Sequence, residues 1–234
     1  MWRSWVSRLF PRGCVVCGLQ PGAALSICTQ CETDFFPVDT ERCERCAIRM
    51  HASTSGAARI CGRCLASAPE FDTTMTLADY VSPVDGMVMA LKFTARLDLA
   101  RFFGRLLASR SSAMSASVRD GVVIPVPLAF ERIRQRGFNQ SHYIARAFAS
   151  AAGCRLVADR LLRVRHTAPQ QTLALKERRR NIRGAFAVEG SFSGQSVMVV
   201  DDVMTTGSTL DEVARMLKRA GASHVHNLIV ARTP

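Results

Sequence analysis

The sequence predicts an α/β protein, a mainly parallel sheet flanked by helices, with a small cysteine-rich module before it. Three observations predict this. Short apolar runs of the buried-strand kind alternate with amphipathic segments of helix length. Eight of the nine cysteines form four Cys-x-x-Cys pairs, all within residues 14–64. And "VMVVDDVMTTGST" (197–209) drives an apolar strand into two adjacent aspartates and then a small, hydroxyl-rich loop, at the strand end where parallel sheets bind ligands. The boundary falls near residue 68, giving a module over 1–68 and an α/β domain over 69–234.

The first residues place Trp2, Trp5, Val6 and Leu9 at helical spacing, which reads as a short helix docked on the body. Arg3 and Arg8 flank too short an apolar core for a secretory signal. The pairs that follow are Cys14/Cys17, Cys28/Cys31, Cys43/Cys46 and Cys61/Cys64, two tandem copies of one unit. Without a secretory signal such pairs favour metal over disulfides and a reducing, cytoplasmic location. Two knuckles of this spacing make a tetrahedral shell of four sulfurs suited to Zn2+, closed and therefore structural. Neighbouring pairs sharing an ion, or a cross-braced arrangement of first pair with third, both satisfy the spacing. His51 reads as a surface histidine, since four thiolates already complete its unit. Cys154 stands alone among apolar residues and reads as an inert core thiol.

"SAPEFD" (67–72) reads as a linker, and "DTTMTLADYV" as a strand. "SPVDGMVMALKF" is a helix with Ser82 as N-cap and Pro83 at its first position. Leu97, Ala100, Phe103 and Leu107 give the next helix its apolar face. "VVIPVPL" (122–128) is a buried strand, and "NQSHYIARAFASAAG" is a helix ended by Gly153. "SVMVV" (196–200) is a second buried strand. A helix over 208–220 carries Leu210, Val213, Ala214 and Leu217 on one side and stops at Gly221. "HVHNLIVAR" is the last strand.

No run approaches the roughly 18 unbroken apolar residues of a membrane span. The net charge of +12 is concentrated: residues 131–183 hold 13 Lys/Arg against 3 Asp/Glu. A segment of that sign predicts a polyanionic partner, either a phosphorylated metabolite or nucleic acid. Of the 31 basic residues 28 are Arg, which suits bidentate contact with phosphate oxygens. Aromatic residues are only 7% of the chain, which argues against base-stacking platforms.

The acid pair asks for a ligand, because buried unpaired carboxylates are costly. At a strand end Asp201 and Asp202 can accept hydrogen bonds from two hydroxyls or hold Mg2+ through water. "MTTGSTL" then opens a helix whose N–H groups, hydroxyls and dipole make a phosphate nest, with Gly207 allowing close approach. Acid pair and nest together fit a sugar phosphate with vicinal hydroxyls. A Walker B strand would need a G-x-x-x-x-G-K-[ST] loop, which does not occur. A receiver domain would carry its acid pair near its start.

"VMVVDDVMTTGST" resembles the phosphoribosylpyrophosphate (PRPP) signature of type I phosphoribosyltransferases. The paired cysteines, "LKF" (91–93), "PVPL…RIRQRGFNQS" (125–141) and "LLRVRHTAPQQTL…ERRRNIRGAF" (161–186) narrow the resemblance to the ComF family, including ComFC and GntX-like proteins. In that family a zinc-ribbon-like module precedes a type I phosphoribosyltransferase-like domain. The resemblance implies that Asp201 and Asp202 contact the ribose hydroxyls, and that Thr205, Thr206, Gly207, Ser208 and Thr209 hold the 5-phosphate. It implies Mg2+ accompanying the pyrophosphate. Arg132, Arg134, Arg136 and Gly137, just past a strand end, are the expected pyrophosphate site. Arg163, Arg165, Thr167, Gln170, Arg179 and Asn181 match the hood that closes over PRPP. The acceptor, if the chain transfers ribose 5-phosphate, is not written in these motifs. The family's association with natural competence implies single-stranded DNA and competence-machinery proteins as further partners.

Overall fold

The computed structural model describes residues 13–19, 27–38, 41–50, 59–111, 121–165 and 181–234. The N-terminal helix expected around Trp2–Leu9, His51, and Thr167, Gln170 and Arg179 of the hood lie outside them. The elements are α1 (Thr29–Phe35), α2 (Gly62–Ala66), β1 (Thr73–Asp79), α3 (Val84–Phe93), α4 (Leu97–Ser111), β2 (Val122–Pro125), α5 (Phe130–Arg136), α6 (Gln140–Ala152), β3 (Arg155–Leu156), β4 (Leu161–Arg163), β5 (Phe186–Val188), β6 (Ser196–Met204), α7 (Ser208–Arg219) and β7 (His224–Arg232).

Five strands form one parallel sheet in the order β1-β7-β6-β2-β3. Its central strands β6 and β7 are almost entirely buried, as strands covered on both faces must be, and so read as near-continuous apolar runs. Alternation along β6 divides the core in two. Met198 and Val200 pack with Leu91, Phe103, Ile144 and Phe148 of α3, α4 and α6. Val197 and Val199 pack with Phe186, Leu210, Val213 and Leu217 on the opposite face. Helices α4 and α6 cross at Gly104, where a Cβ would lie 2.6 Å from the Ile144 carbonyl oxygen and 2.7 Å from the Phe148 nitrogen. Only glycine allows that approach.

The two four-cysteine units join different cores. Cys14, Ile27, Cys31 and Phe36 belong to the first, where the Phe36 ring meets Phe102 at 5.5 Å. Cys43, Cys46 and Cys64 belong to the second. The second unit also covers β1, an edge strand that would otherwise offer unpaired backbone to another chain. The Thr74 N–H donates to the Glu44 carbonyl (2.9 Å), and Arg42 and Arg49 grip Asp79 at 2.7 and 2.6 Å.

Three details depart from the sequence reading. The third helix starts at Val84, with Pro83 as its N-cap residue and no side-chain cap. "FERIRQR", given no helix in the sequence reading, forms α5 and buries none of its residues. And β6 runs four residues past Val200, through both aspartates to Met204. Pairing with β7 carries that extension, since Asp201 faces Ile229 and Met204 faces Arg232. Helix α6 ends at Gly153 as expected.

Candidate functional site

Strand β2 stops at Pro125, opposite Val200. Asp201 is therefore the first residue of β6 beyond its β2 neighbour, and that flank of the strand is open. Successive strand residues point to opposite faces, and the acid pair parts accordingly. Asp202 is buried and turns to α3, where Lys92 Nζ lies 3.0 Å from Oδ2. That ion pair lacks hydrogen-bond geometry, so Oδ2 is a buried oxygen without a hydrogen-bond donor among the described residues. Asp201 turns to the open flank, where Oδ1 accepts from Ser141 Oγ (2.8 Å) and the Asp202 N–H (2.9 Å). Ser141 is fixed by Asn139, the N-cap of α6, which accepts from the Ser141 N–H (3.0 Å) and donates to the Val126 carbonyl (3.0 Å). Burial, and then the neighbouring Asp202 charge, raise the Asp201 carboxyl to about 7, against the hydrogen bonds and Lys92. The site thus holds a carboxyl whose ionised form a hydroxyl donor or a cation would favour.

The loop Thr205–Gly207 leads from β6 into α7. Gly207 has φ +82, a left-handed conformation, and its carbonyl accepts from the Asp211 N–H (2.9 Å). Thr206 Oγ1 and Ser208 Oγ lie 2.9 Å apart. Asp201, Thr205, Gly207, Ser208 and Thr209 line one small hollow of about 60 Å³. The start of a twelve-residue helix, beside hydroxyls, suits an anion, and the Ser208 N–H there donates to Thr206 Oγ1 (3.4 Å).

The arginines divide. Arg136 is half-buried, donates to Gln140 Oε1 (3.2 Å) and covers the Phe93 ring at 5.0 Å. Burial lowers its pKa, while the Asp202 charge opposes that. Arg163 on β4 covers Phe186 at 5.6 Å; burial and then Arg132 lower its pKa, against the pull of Asp201. Arg136 and Arg163 therefore lie in the field of the acid pair, and Arg132 in the field of both arginines. Arg134 points outward over the exposed Phe130 ring, and Gly137 ends α5 at φ +77. Arg165 has another use: it donates to the carbonyls of Asn181 and Arg183, both at 2.7 Å, clasping the two stems of the 166–180 segment. Glu212 of α7 holds the second stem by accepting from the Gly184 N–H (2.6 Å).

Sequence reading missed Lys92 and Ser141. "LKF" had drawn attention as a family mark only, and a serine in a helix carries no signal of the aspartate it meets 60 residues on.

The thiols group by neighbours. Cys14, Cys17, Cys28 and Cys31 form one cluster and Cys43, Cys46, Cys61 and Cys64 the other, each with its sulfurs within 4.8 Å of one another. The cross-braced alternative is not what this structure shows. The Cys17–Cys28 and Cys46–Cys61 sulfurs lie 3.7 and 3.6 Å apart, close to the ~3.8 Å edge of a zinc tetrahedron with Zn–S bonds of about 2.3 Å. The Cys61 N–H points at Cys43 Sγ (3.3 Å), which suits a thiolate ligand. Both clusters fit Zn2+.

A phosphoribosyl transferase domain model matches residues 138–234, and a double zinc ribbon domain model matches residues 5–65. The chain is 38% identical over 179 residues to the DNA utilization protein YhgH of Salmonella typhimurium, across 74% of this chain and 78% of that one. It is 31% identical over 181 residues to competence protein F of Haemophilus influenzae, across 75% and 79%. With competence protein ComFC of Streptococcus pneumoniae it shares 23% over 212 residues, across 88% and 87%. Glutamine PRPP amidotransferase from B. subtilis aligns with 61% of this chain and 30% of its own, at a TM-score of 0.42 and 23% identity. From the double zinc ribbon, the phosphoribosyl transferase domain and the competence and DNA utilization relatives, the chain belongs to the ComF family.

Proposed function

We propose that the chain binds PRPP, or a closely related sugar phosphate, together with Mg2+. The observation that carries this is the hollow at the end of β6, where an aspartate of raised pKa meets the Gly207 turn and the α7 N-terminus. In this reading Asp201 and Asp202 take the ribose hydroxyls, and Thr205–Thr209 take the 5-phosphate. Arg132, Arg136 and Arg163 neutralise the pyrophosphate, Arg134 serves at its rim, and Gly137 turns the chain there. The carboxylates and the ligand's own phosphate oxygens are the hard donors Mg2+ prefers, and the ion would supply charge neutralisation. Arg165, Gln170, Arg179 and Asn181 belong to the hood, with Arg165 closing its base.

Isothermal titration with PRPP and Mg2+ tests the reading on wild type and on the Asp201→Ala/Asp202→Ala double variant. Heat in the wild type and its loss in the variant are expected, and a silent wild type refutes the proposal. Pyrophosphate release in the presence of a panel of bases then separates transfer of ribose 5-phosphate from PRPP sensing.

A second reading, DNA handling with a PRPP-responsive site, is favoured by the names of the relatives and by one surface. Phe93 and Phe130 are 63% and 69% exposed, and arginines lie over both rings. Aromatic rings beside arginines suit single-stranded DNA. Filter binding over a salt series should show affinity falling steeply with salt; a flat response excludes phosphate-driven contact. Competence-machinery proteins are the further partners this reading supplies.

A further inference from the structure

Arg232, near the end of β7, is 2% exposed. A buried guanidinium is costly unless its donors are matched, and these are matched by backbone from two separate places. Nε donates to the Cys46 carbonyl (3.0 Å), at a ligand of the second thiol cluster. Nη1 donates to the Met204 carbonyl (3.3 Å), the residue before the Thr205–Thr209 loop, and to Thr233 Oγ1 (3.0 Å). The Thr233 N–H donates to the same Met204 carbonyl (3.0 Å). Cys46, Cys64 and Phe71 share a hollow with Thr206, Gly207 and Ser208. The second cluster and the back of the phosphate loop are thus adjacent walls, joined by one charged side chain. The first cluster packs into the other core.

We propose that Arg232 is a positioning residue coupling the second thiol cluster to the phosphate loop, so that metal at Cys43/Cys46/Cys61/Cys64 and an anion at Thr205–Thr209 strengthen each other's binding. The inference rests on the phosphate-loop reading above. Moving the Cys43/Cys46 knuckle moves the Cys46 carbonyl and releases Nε of the side chain whose Nη1 fixes Met204. Linkage then requires the converse: an anion in the loop holds the knuckle in its metal-binding form.

The test uses the whole zinc-loaded protein and a chelator, with iodoacetamide as trap and mass spectrometry as readout. Peptides from Cys14–Cys31 and Cys43–Cys64 are followed separately, with and without PRPP and Mg2+. Saturating PRPP should slow alkylation of the second group about fivefold or more, within the range of measured coupling. The first group should change little. Arg232→Met should abolish the PRPP effect, and Arg232→Lys, which keeps a charge and a donor, should restore part of it. Circular dichroism reports whether each variant folds, and the wild-type comparison stands even if neither does. Equal alkylation with and without PRPP, while calorimetry shows PRPP bound, overturns the coupling and leaves the binding reading intact. Protection of both groups alike also overturns it, as does full protection in a folded Arg232→Met. Absence of PRPP binding overturns both.

Discussion

Asp201 holds its proton up to about pH 7 in the folded protein, against about 3.8 for an ordinary aspartate. Between those values the folded state binds more protons than the unfolded one, so this residue makes stability fall as pH rises across the window. Asp201→Asn should flatten that slope and raise the melting temperature at pH 8, measured by thermal denaturation at several pH values. Hydroxyl donors or a cation favour the ionised form, so binding of PRPP and Mg2+ should release a proton at pH 6 and tighten as pH approaches 7. Calorimetry in buffers of different ionisation heat counts that proton. At this scale the sequence was legible where chemistry repeats along the chain: the acid pair, the small loop, the thiols. Lys92, Ser141 and Arg232 were not, because each acquires its role from a partner brought close by the sheet. Nor could composition reveal that Phe93 and Phe130, few as the aromatics are, would both be left exposed beside arginines.

Among elements, the long helices were readable, while the short helices α1, α2 and α5 and the strands β3, β4 and β5 were not. Helices α4 and α6 show apolar residues at helical period, whereas β3, β4 and β5 are two or three residues long, too short for alternation to register. The end of β6 was misread for a physical reason. Charged residues normally mark a strand's exit, yet here β7 continues as neighbour and β2 does not. Gly104, inside α4, would have been expected to weaken that helix; the structure shows what it permits. Gly104→Ala forces a Cβ into the Ile144 and Phe148 backbone and should cost about 1–3 kcal/mol, the range for overpacking. Urea denaturation measures it, and an unchanged midpoint would mean α4 and α6 separate without penalty.

For the whole molecule, the cysteine segment is part of both cores as well as the cap of a sheet edge. Chelation of zinc should therefore loosen the α/β body too, lowering the melting temperature by at least about 5 °C, a loss of a kcal/mol or two for a chain of this size. A thermal scan with and without chelator checks this, with far-ultraviolet circular dichroism following the helices and sheet of the body. The strand order also sets a schedule for synthesis. β7 lies between β1 and β6, so the sheet stays in two pieces until the strand made after all the others slides in. The thiol clusters, made before any strand of that sheet, meet their packing partners in both cores only after those strands have followed.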